Sequence, residues 1–155
     1  MKKTLFFSAF LIAFVWVSRA QVYTGAVGLG IGLYEGATAV GPSGKYFFAE
    51  NHAAQADLLF ADGVTILGVN YQYHGQFSGA EGLQWFAGAG PDIFLFGNGG
   101  GSNFNIRFIG GLEYKIPDVP LVFAFDWRPT LSLESNVTER FDAGIFGLGF
   151  RYAFD

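Results

Sequence analysis

Between Phe104 and Leu133 apolar and polar residues alternate almost without error, over runs that are long for an ordinary soluble strand. In the first run, 104–116, Phe104, Ile106, Phe108, Leu112, Tyr114 and Ile116 share one face, and Asn105, Arg107, Glu113 and Lys115 share the other. Beyond Pro117-Asp118-Val119-Pro120 the pattern resumes over 121–133. There Leu121, Phe123, Phe125, Trp127, Leu131 and Leu133 stand opposite Asp126, Arg128, Thr130, Ser132 and, one step further, Glu134. A period of two means extended chain, because successive side chains leave a strand on opposite faces. Each run is about twice the roughly five or six residues usual in soluble strands, whereas a strand that crosses lipid needs about 9–11. The pattern predicts membrane-crossing strands with an oily outside and a polar inside.

The N-terminal region points to the same compartment. Lys2 and Lys3 precede an apolar run from Leu5 to Val17, which ends at Ser18-Arg19-Ala20. A basic start, a short apolar stretch and a small-residue site are the parts of a secretory signal peptide, with cleavage expected after Ala20. A membrane-spanning helix is the competing interpretation, but the run falls short of the roughly 20 apolar residues such a helix needs. The expected organisation is therefore a signal peptide over 1–20 and a single barrel domain over 21–155. The chain has no cysteine, so lipid attachment through a thiol, disulfides and thiol chemistry are all excluded. The leader takes Lys2, Lys3 and Arg19 from the nine Lys and Arg, leaving six cations against thirteen Asp and Glu, a formal charge of −7. That acidity argues against nucleic acid, which calls for basic patches.

Eight strands can be traced. They fall at about 22–33, 44–49, 53–60, 64–74, 83–96, 104–116, 121–133 and 141–154. In the first, Tyr23, Val27, Leu29, Ile31 and Leu33 share a face opposite a row of alanine and glycine; in the last, Phe146, Leu148, Phe150, Tyr152 and Phe154 oppose Ala143, Gly147, Gly149 and Arg151. An even count puts both termini on one side. If that side is periplasmic, the inner connections are 50–52, 75–82 and 117–120, and the outer ones 34–43, 61–63, 97–103 and 134–140. A soluble sandwich or lipocalin-type barrel would reverse the faces. Eight strands enclose only enough room for side chains, and the aromatic rows are too bulky and numerous for that space. The predicted fold is all-β: an eight-stranded antiparallel transmembrane up-and-down barrel.

The segments Ser43-Gly-Lys-Tyr-Phe-Phe-Ala-Glu-Asn-His-Ala53, Gly82-Leu-Gln-Trp-Phe-Ala-Gly-Ala-Gly90, Gly111-Leu-Glu-Tyr-Lys115 and Asp126-Trp-Arg-Pro129 carry a resemblance. With Phe150-Arg-Tyr-Ala-Phe154 they make the chain similar to small eight-stranded outer-membrane barrels of the OmpA/OmpX-like type, as found in Bacteroidetes-like bacteria. The resemblance covers nearly the whole of 21–155 and implies a Gram-negative cell envelope, outer-membrane lipids as surroundings, and a monomer. It also implies that Phe150, Tyr152 and Phe154 form the C-terminal signal read by the barrel-assembly machinery. Asp155 follows Phe154, a departure from the family's aromatic ending. These motifs specify architecture and carry no catalytic signature.

The expected lumen-facing charges are Lys45, Asp57, Asp92, Arg107, Glu113, Lys115, Asp126, Arg128, Glu134 and Arg151, five of each sign. In a narrow lumen they must pair, because an unpaired buried charge costs several kcal/mol. A self-neutralising plug is preferred over a charge-gated ion path, and the inward Phe47, Phe86, Phe94 and Phe96 also oppose a water-filled channel. Some eight-stranded barrels modify lipids, using a histidine with a serine or carboxylate near the outer leaflet. His52 in a predicted turn and His74 at a strand end fall at the opposite end, and neither has a serine two residues on. Two separated histidines without cysteine supply no metal cluster. The loop Gly97-Asn-Gly-Gly-Gly-Ser-Asn103 lacks the strand-to-helix setting of a phosphate cradle and reads as a flexible outer loop. The expected role is structural, without catalytic, cofactor or metal residues. A small porin-like channel is the alternative, and a lipid-modifying enzyme a more distant one.

Overall fold

The computed structural model describes residues 22–155, so the expected leader and its cleavage site lie outside the described residues. Ten strands follow in order: β1 (Gly25–Tyr34), β2 (Ala37–Ala49), β3 (His52–Ala61), β4 (Val64–Gln76), β5 (Leu83–Phe96), β6 (Ser102–Lys115), β7 (Leu121–Trp127), β8 (Thr130–Ser132), β9 (Phe141–Asp142) and β10 (Phe146–Phe154). Each of β1 to β6 pairs antiparallel with the next. β6 pairs with both β7 and β8, β8 with β9, and β7 with β10. β7 and β8 are thus two parts of a seventh stave, and β9 and β10 of an eighth. The ring closes through an unbroken β1–β10 ladder from Gly25↔Phe154 to Leu33↔Phe146. The result is a closed, eight-stranded antiparallel barrel. Closure leaves its wall without a free edge.

Alternation sorts side chains between wall and lumen, and the sorting is the reverse of a water-soluble protein's. Along the outside, Tyr46, Phe48, Phe125 and Phe150 are 43–56% exposed, while Lys45, Asp57, Arg107, Glu113 and Arg128 are at most 3% exposed inside. Two apolar layers bracket these charges. At the rim that carries the termini, Tyr23 and Phe47 pack with Ala26, Ala53, Val122 and Ala153. Toward the opposite rim, Ala39, Leu59 and Ile66 pack against Tyr34 and Phe94.

The structure departs from the sequence expectation at five places. β2 runs from Ala37, so the expected outer loop 34–43 is a two-residue turn at Glu35-Gly36, where Gly36 takes a φ of 76°. The segment Ala37 to Gly44 has a loop-like composition, yet it pairs with β1 throughout; its register with β3 skips Gly41 and Pro42, as a residue without an N–H requires. Tyr23 lies inside rather than outside, because the regular strand starts only at Gly25 and the preceding chain turns over the lumen. The seventh and eighth staves are each interrupted, at Arg128-Pro129 and at 143–145, where Trp127 Nε1 donates to the Ala143 carbonyl (2.7 Å) and Arg128 N to that of Ile145 (2.8 Å). Ala143 is consequently exposed, and Ile145 takes the inward place. Finally, Phe96 stands exposed at the rim, and Phe94 is only half buried, edge-on to Tyr34.

Candidate functional site

Inward positions of seven staves bring the polar side chains together, and glycine makes room for them. Gly68, Gly147 and Gly149 are inward neighbours of the three buried arginines. A Cβ on Gly68 would lie 2.8 Å from an Arg107 nitrogen, and Cβ atoms on Gly147 and Gly149 would overlap the guanidinium groups of Arg128 and Arg151. Lumen glycine therefore serves as space for arginine heads, which the composition alone did not reveal.

Glu113 on β6 anchors the end nearer the termini. It accepts from Lys45 Nζ (2.5 Å) and from the Tyr23 hydroxyl, and Arg151 Nη1 stands 3.7 Å away. Arg151 also donates through Nε and Nη2 to Ser43 Oγ, at 3.0 and 2.8 Å, and Ser43 donates to Asp57 (2.5 Å). Gln55 Nε2 holds both Asp57 oxygens, at 3.2 and 3.0 Å. Arg107 then bridges Asp57 (3.5 Å) and Asp92 (2.7 Å). One chain of contacts thus runs from Tyr23 to Asp92 and ties β2, β3, β5, β6 and β10 across the lumen. Asp126 and Arg128 form a separate pair through Arg128 Nε, with a second contact from Nη2 at 3.2 Å.

Eight of the ten expected lumen charges join this interior as four cations and four carboxylates. Every one of the paired side chains is at most 2% exposed. Lys115 and Glu134 are not brought in. Lys115 is half buried at one rim and donates to the Ile116 carbonyl (3.1 Å); Glu134 is half buried at the other and accepts from Phe104 N (3.5 Å). Lys115 is the last residue of β6 and Glu134 lies two residues beyond β8, so neither reaches the centre, and as one charge of each sign their departure leaves the balance intact. Tyr23, Ser43, Gln55 and Gln72 carry no formal charge, yet they complete the network. The signal for the last three was their inward parity; Tyr23 offered none, because its parity points outward.

The histidines lie in different settings. His74 is 1% exposed, between the side-chain amide oxygens of Gln84 (3.0 Å) and Gln72 (3.1 Å), and is stacked on Phe86. It belongs to the packed lumen rather than to a solvated strand end. His52 opens β3 on the outer wall with its Nδ1 2.6 Å from the Tyr71 hydroxyl. Phe150, Tyr152 and Phe154 form an outward row 43–56% exposed, and Phe154 packs its ring against Gly25 at the closing seam.

Chemically, paired buried charges with hydrogen-bonded neighbours hold opposite walls together and fill the bore. A charge stranded there would be costly, whereas paired and hydrogen-bonded it is tolerated. No protein-family model matches this chain, and no curated protein is detectably similar to it.

Proposed function

We propose that this chain is an integral outer-membrane barrel whose role is structural: it anchors in lipid, keeps its lumen plugged, and presents surface loops to the outside. The observation that carries this is the pairing of a neutral, closely packed set of four cations and four carboxylates inside with a bulky apolar wall outside. An oily exterior has a natural solvent in hydrocarbon, and a closed barrel satisfies every backbone group within it. The resemblance to OmpA/OmpX-like barrels and the expected leader over 1–20 agree with a Gram-negative cell envelope. Outer-membrane lipids are then the standing partners. The assembly machinery is a transient one, reading Phe150, Tyr152 and Phe154; the barrel acts as a monomer and binds no nucleic acid. The loops at 97–101 and 133–140 are the parts available for contacts outside the cell. In this proposal the protein carries out no reaction.

Expression of the full chain in a Gram-negative host tests the proposal. The protein should fractionate with outer membranes and run faster on gels unheated than boiled. After reconstitution in planar bilayers it should show no steady conductance. Steady, charge-selective currents would replace the plug by a small channel, and recovery in the soluble periplasm would remove the membrane role altogether.

A further inference from the structure

We infer that the outer wall of β1–β4 is a site for one zwitterionic ethanolamine phospholipid, its headgroup at His52 and one acyl chain along β3. The inference rests on the membrane reading above and adds a specific lipid to it.

Small outward residues open a groove. Ala54 and Ala56 on β3 and Gly44 on β2 lie low between Val27, Tyr46, Val69 and Phe154, leaving about 360 Å³. A second space of about 310 Å³ shares Val27, Gly44 and Ala56 and continues toward Pro42, Leu58 and Leu67. The length fits one leaflet. From His52 to Leu58 is six residues, roughly 20 Å at about 3.3 Å each. A strand tilt of ~35–45° reduces that to roughly 15 Å along the membrane normal, half of a hydrocarbon core about 30 Å thick.

Two residues before Ala54, on the same face of β3 and beyond the lining of both spaces, His52 stands among polar aromatic groups. His52 Nδ1 is held by the Tyr71 hydroxyl, and ring contacts run from Phe48 (6.2 Å) through His52 to Tyr73 (5.3 Å) and on to Trp85 (5.8 Å from Tyr73). Imidazole and phenol groups suit a phosphate, while ring faces and the exposed Glu50 in the adjacent turn suit an ammonium group. The same rim exposes Glu81, Asp118 and Asp155, a field that disfavours a net anionic headgroup. A zwitterion fits both halves.

The test is native mass spectrometry of the refolded barrel released from detergent with phosphatidylethanolamine, phosphatidylglycerol or soluble phosphoethanolamine. One phosphatidylethanolamine should be retained in preference to phosphatidylglycerol, and phosphoethanolamine alone should not. His52→Ala should lower retention about fivefold, the effect of one lost hydrogen bond, and Ala56→Leu should lower it by filling the groove. Tyr71→Phe removes only a hydroxyl and serves if His52→Ala does not fold; Leu133→Ala, away from the groove, should leave retention unchanged. Equal retention of the two lipids, retention of phosphoethanolamine by itself, or indifference to both groove variants overturns the site. Insertion is read separately from heat-modifiable mobility in vesicles: an inserted barrel without lipid preference overturns only the site, whereas failure to insert overturns the membrane reading together with it.

Discussion

Replacing Arg107 by Met removes the cation that, alone among the described residues, pairs with two lumen carboxylates, while keeping a side chain of similar reach. The two carboxylates are left in unequal positions. Asp57 keeps its hydrogen bonds from Ser43 and Gln55. Asp92 has no hydrogen bond among the described residues apart from the ion pair to Arg107 at 2.7 Å, and its side chain is 1% exposed. Breaking a buried pair in this way costs about 3–5 kcal/mol, nearly all of it from the stranded charge. With a urea dependence of about 1–3 kcal/mol per molar, the unfolding midpoint should fall by roughly 2 M. The assay is urea unfolding in lipid vesicles, followed by tryptophan fluorescence. Adding Asp92→Asn should recover part of the loss, so the double variant costs less than the two single ones together. Strictly additive losses, or a midpoint unchanged by Arg107→Met, would mean that Asp92 is hydrated and the lumen is wet.

Gly147→Ala should destabilise the barrel by about 1–3 kcal/mol, since its Cβ overlaps the Arg128 guanidinium, while Gly44→Ala, with nothing nearer than 3.9 Å, should be near neutral in the same assay. Phe154→Ala should impair assembly, because Phe154 pairs with Gly25 at the closing seam; normal amounts of heat-modifiable protein in the outer membrane would count against an assembly signal there. In whole cells, Ser102→Cys and Ser135→Cys should react with an impermeant reagent and Asp118→Cys should not. Labelling of Asp118→Cys from outside would invert the proposed orientation.

Side-chain parity was the most legible part of the chain, because wall and lumen impose opposite solvents on successive residues. It sets Phe104, Phe108, Leu112, Tyr114, Phe123, Phe125 and Trp127 outside, and it locates eight of the lumen charges. Parity does not report where a strand begins, how high a residue sits, or whether a ladder is interrupted. Tyr23 therefore fell on the wrong side, and Lys115 and Glu134 were assigned to a centre they do not reach. The breaks at Arg128-Pro129 and 143–145 preserve the alternation on both sides and so leave little trace in it. Local composition misled in β2, where glycine, proline and serine resemble a loop although closure onto β1 recruits them as a strand. The arginine cradles at Gly68 and Gly147 bring residues of different staves together, which no single strand encodes, whereas Gly149 and Arg151 lie two residues apart on β10.

The apolar wall is tested most directly by depth-resolved quenching with brominated lipids in vesicles. Residues 22–155 contain two tryptophans, both on the outer wall: Trp85 near the rim with the termini and Trp127 midway along the seventh stave. Three single-tryptophan forms are needed: Trp127→Phe, Trp85→Phe, and Phe150→Trp with both natural tryptophans replaced by Phe. A barrel embedded in lipid predicts that bromines at mid-acyl depth quench Trp127 and Phe150→Trp most strongly, and that bromines near the headgroups quench Trp85 most strongly. Quenching without any depth order, accompanied by strong quenching of all three forms by aqueous iodide, would contradict a lipid-facing wall.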